Sequence, residues 1–233
     1  MTPTSPVAKP RLALFDLDHT LLPIDSDYAW GEFTTRIGWT DPVDFQRRND
    51  EFYARYQAGT LDVREYVRFA TEAVRRQGPE QAARAHARFM REVVGPALRP
   101  QARALIEAHR QAGHGLLMVT ATNEFVTRPI AQAFGIEELI AIELVRDGAG
   151  WITGEIAGTP SFREGKVARV ADWLRARGHD WSDVDITFYS DSRNDLPLLE
   201  KAQQPVATNP DDALRAIASE RGWRVLELFK EDT

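Results

Sequence analysis

The chain contains no cysteine, and its five histidines are scattered at positions 19, 86, 109, 114 and 179. Disulfides and thiolate metal sites are therefore excluded, and a histidine-built zinc centre has no cluster to start from. A reducing compartment, the cytoplasm, is the expected setting. Basic charge is also scarce: 29 Lys and Arg stand against 35 Asp and Glu, a net charge of −6. With no basic cluster interleaved with aromatics, this balance argues against nucleic acid or an anionic membrane as the main partner. No apolar run is long enough to span a bilayer, and "MTPTSPVAKPRLALF" has the wrong shape for a secretory leader. Pro, Ser and Thr dominate residues 1–9, which are expected to form a loose tail. Glycine-rich nucleotide loops are missing too. "EGKVARV" lacks the spacing of a phosphate-cradling loop, and "GAGWITG" lacks that of a dinucleotide fingerprint.

What is present is ample apolar material, 43% of 233 residues, enough for one large domain or a core with a smaller companion. Arg11–Phe15 reads as a strand apolar on both faces, as a buried parallel sheet requires. From Ser26 to Val94 the pattern turns helical, in "YAWGEFTTRIG", "VDFQRRNDEFYARYQAG", "LDVREYVRFATEAVRRQG" and "PEQAARAHARFMREVV". Gly38, Gly59, Gly78 and Gly95 sit where these helices would stop. Phe33, Phe45, Phe52, Tyr56 and Phe69 have the spacing of its interior. After Gly95 strands and helices alternate, with a hairpin in "LIAIELVRDGAGWITGEIAG" turning at "DGAG". The expected class is α/β, a doubly wound, mainly parallel sheet built from residues 10–22 and 96–233. An all-helical cap, residues 23–95, is inserted after the first strand.

In an open parallel sheet, ligands bind at the carboxyl ends of the strands. The polar residues there are Asp16 and Asp18 after the first strand, Thr120 after "LLMV", and Ser190, Asp191, Asn194 and Asp195 after "ITFY". Four carboxylates converging on one crevice push each other's pKa values up steeply. A hard divalent cation with oxygen ligands is the natural compensation, and Mg²⁺ fits a site of few carboxylates, waters and phosphate. Thr122 and Asn123 read as N-caps of the next helix, and His19 as a packing or capping residue.

These motifs resemble the haloacid dehalogenase superfamily. "DLDHT" at Asp16–Thr20 resembles its nucleophile motif, Thr120 its second, Lys166 opening a helix its third, and "SDSRNDLPLL" its fourth, usually written with Gly where Ser190 stands. The helical insert between the first two motifs, and the hairpin "GWITGEIAG", are similar to the phosphoserine phosphatase-like branch. The resemblance implies Asp16 as nucleophile forming an aspartyl-phosphate, and Asp18 as acid and base. It implies Mg²⁺ on Asp16, the Asp18 carbonyl and Asp191, with Lys166 supplying a second positive charge. Thr120, Asn194 and the amides that open the following helix, beginning at Ala121, would hold phosphate. Asp195 would orient Lys166 or a metal-bound water.

For substrate, the resemblance implies a small soluble phosphate ester. Phosphoserine-specific members carry a Glu where this chain has Asp25, and no residue among Arg55, Arg64 and Arg68 is singled out as their cap arginine. The entry "DSDYAW" suits an amino-bearing ester, of which histidinol phosphate is one candidate. Asp25 could equally just begin the first cap helix together with Asp27. A phosphomutase or phosphotransferase of the same superfamily, and a silent phosphate-binding module, are the other readings. The quaternary expectation is a monomer or homodimer.

Overall fold

The computed structural model describes residues 9–230. The expected tail therefore lies, up to Ala8, outside the described residues. The chain opens with β1 (Arg11–Phe15) and then runs through helices α1 (Ser26–Arg36), α2 (Pro42–Gln57), α3 (Val63–Ala70), α4 (Glu72–Gln77), α5 (Pro79–Phe89) and α6 (Gly95–Ala97). A π-helical turn, Met90–Val94, joins α5 to α6. Next come α7 (Pro100–Gln111), β2 (Gly115–Asn123), α8 (Glu124–Ala133), β3 (Glu138–Ile142), β4 (Leu144–Arg146) and β5 (Ile152–Ile156). The chain ends with α9 (Glu164–Arg175), β6 (Asp185–Ser190), α10 (Leu196–Leu199), β7 (Gln204–Thr208), α11 (Asp212–Arg221) and β8 (Arg224–Leu226).

Six strands form one sheet in the order β3-β2-β1-β6-β7-β8, every pairing parallel, while β4 and β5 make a separate antiparallel hairpin. The chain winds from β1 to one edge and then returns to build the other half beside it. The direction reverses between β1 and β6, and an open sheet binds ligands outside the carboxyl ends at such a point. β1 is central, and alternation along it sends Ala13 and Phe15 to one face and Leu12 and Leu14 to the other. α7 and α8 cover the first face through Ile106 and Ile130. α9, α10 and α11 cover the second through Val170, Leu174, Leu198 and Leu214.

The helices between β1 and α7 belong to two apolar clusters. Trp30 and Phe33 of α1 and Phe89 of α5 join the first face of the sheet, whereas Phe45, Phe52 and Phe69 of α2 and α3 form a cluster of their own. Asp25, Asp41 and Asp62 start α1, α2 and α3 by accepting from the first free amides, each cap contributing about 1 kcal/mol.

Two expectations need correcting here, and the expected hairpin gains a role. "LDVREYVRFATEAVRRQG" is two helices, because the Thr71 hydroxyl bonds back to the Val67 carbonyl at 2.7 Å and turns the chain. Gly95 does not stop a helix: its φ is −51°, and its amide reaches back to Met90 O through the π turn. A Cβ there would sit 3.1 Å from that oxygen, so this glycine serves close approach. The hairpin braces the insert: Glu155 of β5 pairs with Arg68 of α3, and Trp151 Nε1 donates to Arg75 O.

Candidate active site

β1 ends in a buried carboxylate. The Asp16 amide donates to Tyr189 O of β6 at 2.9 Å, which carries the two strands in register past their last pair. The turn that follows runs through His19, in left-handed backbone with φ 58°, its carbonyl held by Asn209 Nδ2 at 2.8 Å. His19 is exposed and neither packs nor caps; its turn swings Thr20 back under the carboxylates. Thr20 Oγ1 lies 3.1 Å from Asp16 Oδ2 and 3.3 Å from Asp191 Oδ1, and accepts from the Asp191 amide at 3.0 Å.

Lys166 comes from the first turn of α9 and is 2% exposed. Gly165 makes its position possible, because a Cβ there would fall 2.0 Å from Pro160 O. The ammonium donates to Asp16 Oδ1 at 2.8 Å and to Asp195 Oδ2 at 2.7 Å. Burial pulls the Lys166 pKa down, but the two carboxylates outweigh it and raise the net value, so the group is charged. Ser190 is fully buried and donates to the same Asp195 oxygen at 2.8 Å, a bond that Gly at this position would lack. Burial pushes Asp195 up to about 6, with Lys166 and Ser190 opposing.

Asp18 is set differently. Its Oδ1 accepts from the Ser26 amide at 2.7 Å, and its Oδ2 from Thr122 Oγ1 at 2.8 Å. Burial, then Asp25 and Asp16, raise its pKa well above the ordinary carboxylate range. Thr122 is thus part of the site rather than a helix cap; Asn123 caps α8 alone. The Thr122 amide bonds to Thr120 Oγ1 at 3.1 Å, which prolongs β2 and delays the helix to Glu124. Ala121 therefore lies on the strand end and not in the first helical turn.

Asn194 sits in a 3₁₀ turn, Arg193–Asp195, beyond β6. Its Oδ1 accepts from Arg163 Nε at 3.0 Å, and Arg163 also donates to Gly59 O, between α2 and α3. Arg163 holds a strained φ of 52°. Tyr56, expected in the interior of the helical block, instead places its hydroxyl 3.3 Å from Ser192 Oγ. Asp25 is exposed, with Oδ1 committed to the amides of Asp27 and Tyr28. Asp27 is buried, accepts from Asn123 Nδ2 at 3.2 Å, and is pushed up to about 7 by burial and then by Asp25.

The charge balance decides what this end of the sheet can hold. Asp16, Asp18, Asp191 and Asp195 face one ammonium. Among the described residues, no salt bridge reaches Asp18 or Asp191. Burial, Asp16 and Asp195 all push Asp191 upward. Asp16 Oδ2 and Asp191 Oδ1 share the Thr20 hydroxyl, and among the described residues no group of three His, Cys, Asp or Glu side chains is placed to hold a metal ion unaided. Two carboxylates bridged by a hydroxyl are an all-oxygen set, which suits a small hard cation and not a soft one.

A haloacid dehalogenase-like hydrolase family model matches residues 13–200. The chain is 41% identical to the histidinol-phosphatase of Neisseria meningitidis serogroup C (strain 8013), covering 94% of this chain and 99% of that protein. A crystal structure of a protein of unknown function from Bordetella pertussis Tohama I superposes with a TM-score of 0.90 at 48% identity, covering 95% of this chain and all of that one. A phospho-aspartyl intermediate analogue of phosphoserine phosphatase superposes with a TM-score of 0.64 at 17% identity, over 97% and 96% of the two chains. Among the described residues, no helix is long and apolar enough to cross a membrane. A match across the sheet and its strand ends, together with a near full-length relative at 41%, places the chain in the haloacid dehalogenase-like hydrolase family, as a phosphatase with the fold of the phosphoserine phosphatases.

Proposed function

We propose that the protein is a Mg²⁺-dependent phosphomonoester phosphatase that works through an aspartyl-phosphate on Asp16. Its substrate is a small phosphate ester bearing a protonated nitrogen, with histidinol phosphate as first choice. The observation that carries this is one strand end presenting two carboxylates in opposite settings. Asp16 is paired with a buried ammonium, whereas Asp18 has no salt-bridge partner among the described residues and is raised well above the ordinary carboxylate range. The 41% identical histidinol-phosphatase supports the substrate choice.

An Asp16 oxygen attacks phosphorus, the ester oxygen leaves, and Asp18 gives it a proton. Asp18, now ionised, takes a proton from water, which attacks the aspartyl-phosphate and releases phosphate and the Asp16 carboxylate. Lys166 holds Asp16 in its attacking orientation and opposes the charge that gathers on the phosphoryl oxygens. Asp195, fixed by Ser190, holds Lys166. Thr120 and the Ala121 amide near the end of β2, with Asn194 in the turn beyond β6, would receive those oxygens. Asp16, Asp191 and the Asp18 carbonyl would hold Mg²⁺, which supplies charge neutralisation for the approach of a carboxylate to a phosphate dianion. The helical insert acts as a cap that shields the reaction from bulk water, with Asp25 lending negative potential at its entry.

The test is phosphate release from histidinol phosphate, phosphoserine and other small phosphomonoesters, with Mg²⁺, with chelator, and with Asp16→Asn. Turnover should require both metal and Asp16, prefer histidinol phosphate, and fall at least about 10³-fold in Asp16→Asn. A folded wild-type protein that releases no phosphate from any of them would overturn the proposal.

A further inference from the structure

The insert encloses a cavity of about 320 Å³ between α1, α2, α3 and α4, a volume at the low end for small-molecule sites. Phe45, Tyr66, Phe69 and Trp39 supply aromatic walls. Gly31 lets α1 and α2 close on each other, since a Cβ there would stand 2.3 Å from Phe45 Cζ. Asp27 lines the same cavity, 8% exposed, with the Tyr66 hydroxyl facing its carboxylate. Its other partner is the amide of Asn123. No salt bridge reaches Asp27 among the described residues, whereas the more exposed Arg48 and Arg76 of the cavity are already paired with Asp44 and Glu72. A buried carboxylate against aromatic rings, with the nearby cations spent elsewhere, is the chemistry that recognises a positively charged nitrogen.

Asp27, which lines the cavity, is itself bonded to the end of β2. Ser26 and Thr122 together hold the Asp18 carboxylate, and their chain neighbours Asp27 and Asn123 are bonded to each other. One step along both chains leads from the acid/base to the cavity carboxylate. Asp25, by contrast, is exposed and spends Oδ1 on the first turn of α1.

We infer that this cavity receives the cationic end of the substrate, a protonated amine or an imidazolium, and that Asp27, with Tyr66, is the residue that reads it. The inference rests on the phosphatase reading above and assigns its specificity to a side chain that touches no phosphate. Discrimination is against esters without a positive nitrogen, because these leave a buried carboxylate without compensation.

The experiment compares initial rates on histidinol phosphate and on p-nitrophenyl phosphate, which carries no cation, for the full chain with Mg²⁺. In Asp27→Asn the ratio of kcat/KM values, histidinol phosphate over p-nitrophenyl phosphate, should fall about thirtyfold or more, chiefly through KM. In Tyr66→Phe it should fall about threefold to tenfold. A ratio within threefold of wild type in folded Asp27→Asn overturns the inference. Should that variant fail to fold, an unchanged ratio in Tyr66→Phe does the same. A wild-type protein active on p-nitrophenyl phosphate but on no cationic ester refutes this inference and leaves the phosphatase reading intact. Activity on neither ester removes that reading and the inference with it.

Discussion

Asp16 and Asp18 stand two residues apart on one strand end, yet their surroundings make them different reagents. Asp16 faces a buried ammonium and a hydroxyl; Asp18 faces an amide, a hydroxyl and other carboxylates. Thr122 tunes the second of these, since a donor to a carboxylate favours its charged form. Removing it should therefore raise the Asp18 pKa further. Activity that needs protonated Asp18 is lost as pH rises through that value, so the alkaline limb of the kcat/KM profile should move to higher pH in Thr122→Val. A fall of about tenfold in kcat should accompany the shift, and Thr122→Ser should restore both. A profile unmoved in Thr122→Val would show that the hydroxyl only fills space. Nothing local in the sequence marks Thr122, because its partner lies 104 positions away. Next to a helix start, a Thr reads as a cap. Ser190 is a similar case: a residue where Gly is usual becomes legible only when Asp195 is seen beside it.

At the scale of elements, polar contacts tie α2, α3 and α4 of the helical insert to the rest of the fold from two sides. The hairpin supports α3 and α4 from one side through Glu155 and Trp151. The loop between α2 and α3 is tied from the other by Arg163, which spans Asn194 and Gly59 O, and by Tyr56 on Ser192. Arg163 keeps a left-handed backbone to do so, a conformation that costs about 1–3 kcal/mol outside glycine. Arg163→Ala should release the loop and leave Asn194 unsupported. We expect KM for the phosphate ester to rise about tenfold, with protease cleavage near 57–62 faster than in wild type. Identical cleavage and KM would show that the loop is held by packing alone. Helices and several of their limits were legible in this region from apolar spacing and from the glycines at 38, 59 and 78. The break at Thr71 and the π turn before Gly95 were not, because each depends on one hydrogen bond that propensity does not encode.

For the whole molecule, the dominant electrostatic fact is a surplus of negative charge at the carboxyl ends of β1 and β6. Asp191 is raised by burial and by Asp16 and Asp195. A carboxyl whose folded pKa is raised contributes stability at low pH that is lost as pH rises through the folded value. Above that value the metal-free protein bears the cost of the repulsion. Mg²⁺ at a hundredfold excess over its Kd should stabilise the fold by about 2.7 kcal/mol, a Tm increase of about 5–10 °C. Asp191→Asn should melt at or above the metal-free wild type and lose most of that increase. A wild-type Tm indifferent to Mg²⁺ would count against the proposed metal site.

By itself the sequence determined the doubly wound sheet, the helical insert after its first strand, and the carboxylates and Thr at its strand ends, whereas Lys166 in the first turn of α9 was singled out only by the resemblance to a family motif. The former follow from short-range patterns: apolar runs of strand length, helical periodicity, and polar residues placed just past buried ones. The tertiary structure alone decided which side chains complete those residues and which carboxylate of "DSDYAW" turns inward. Thr20, Thr122 and Arg163 act across chain segments, and their roles exist only where packing brings the segments together. Asp25 and Asp27 are indistinguishable as letters. Helix geometry sends one to solvent as a cap and the other into the cavity beside Tyr66, and burial then gives that one its chemistry.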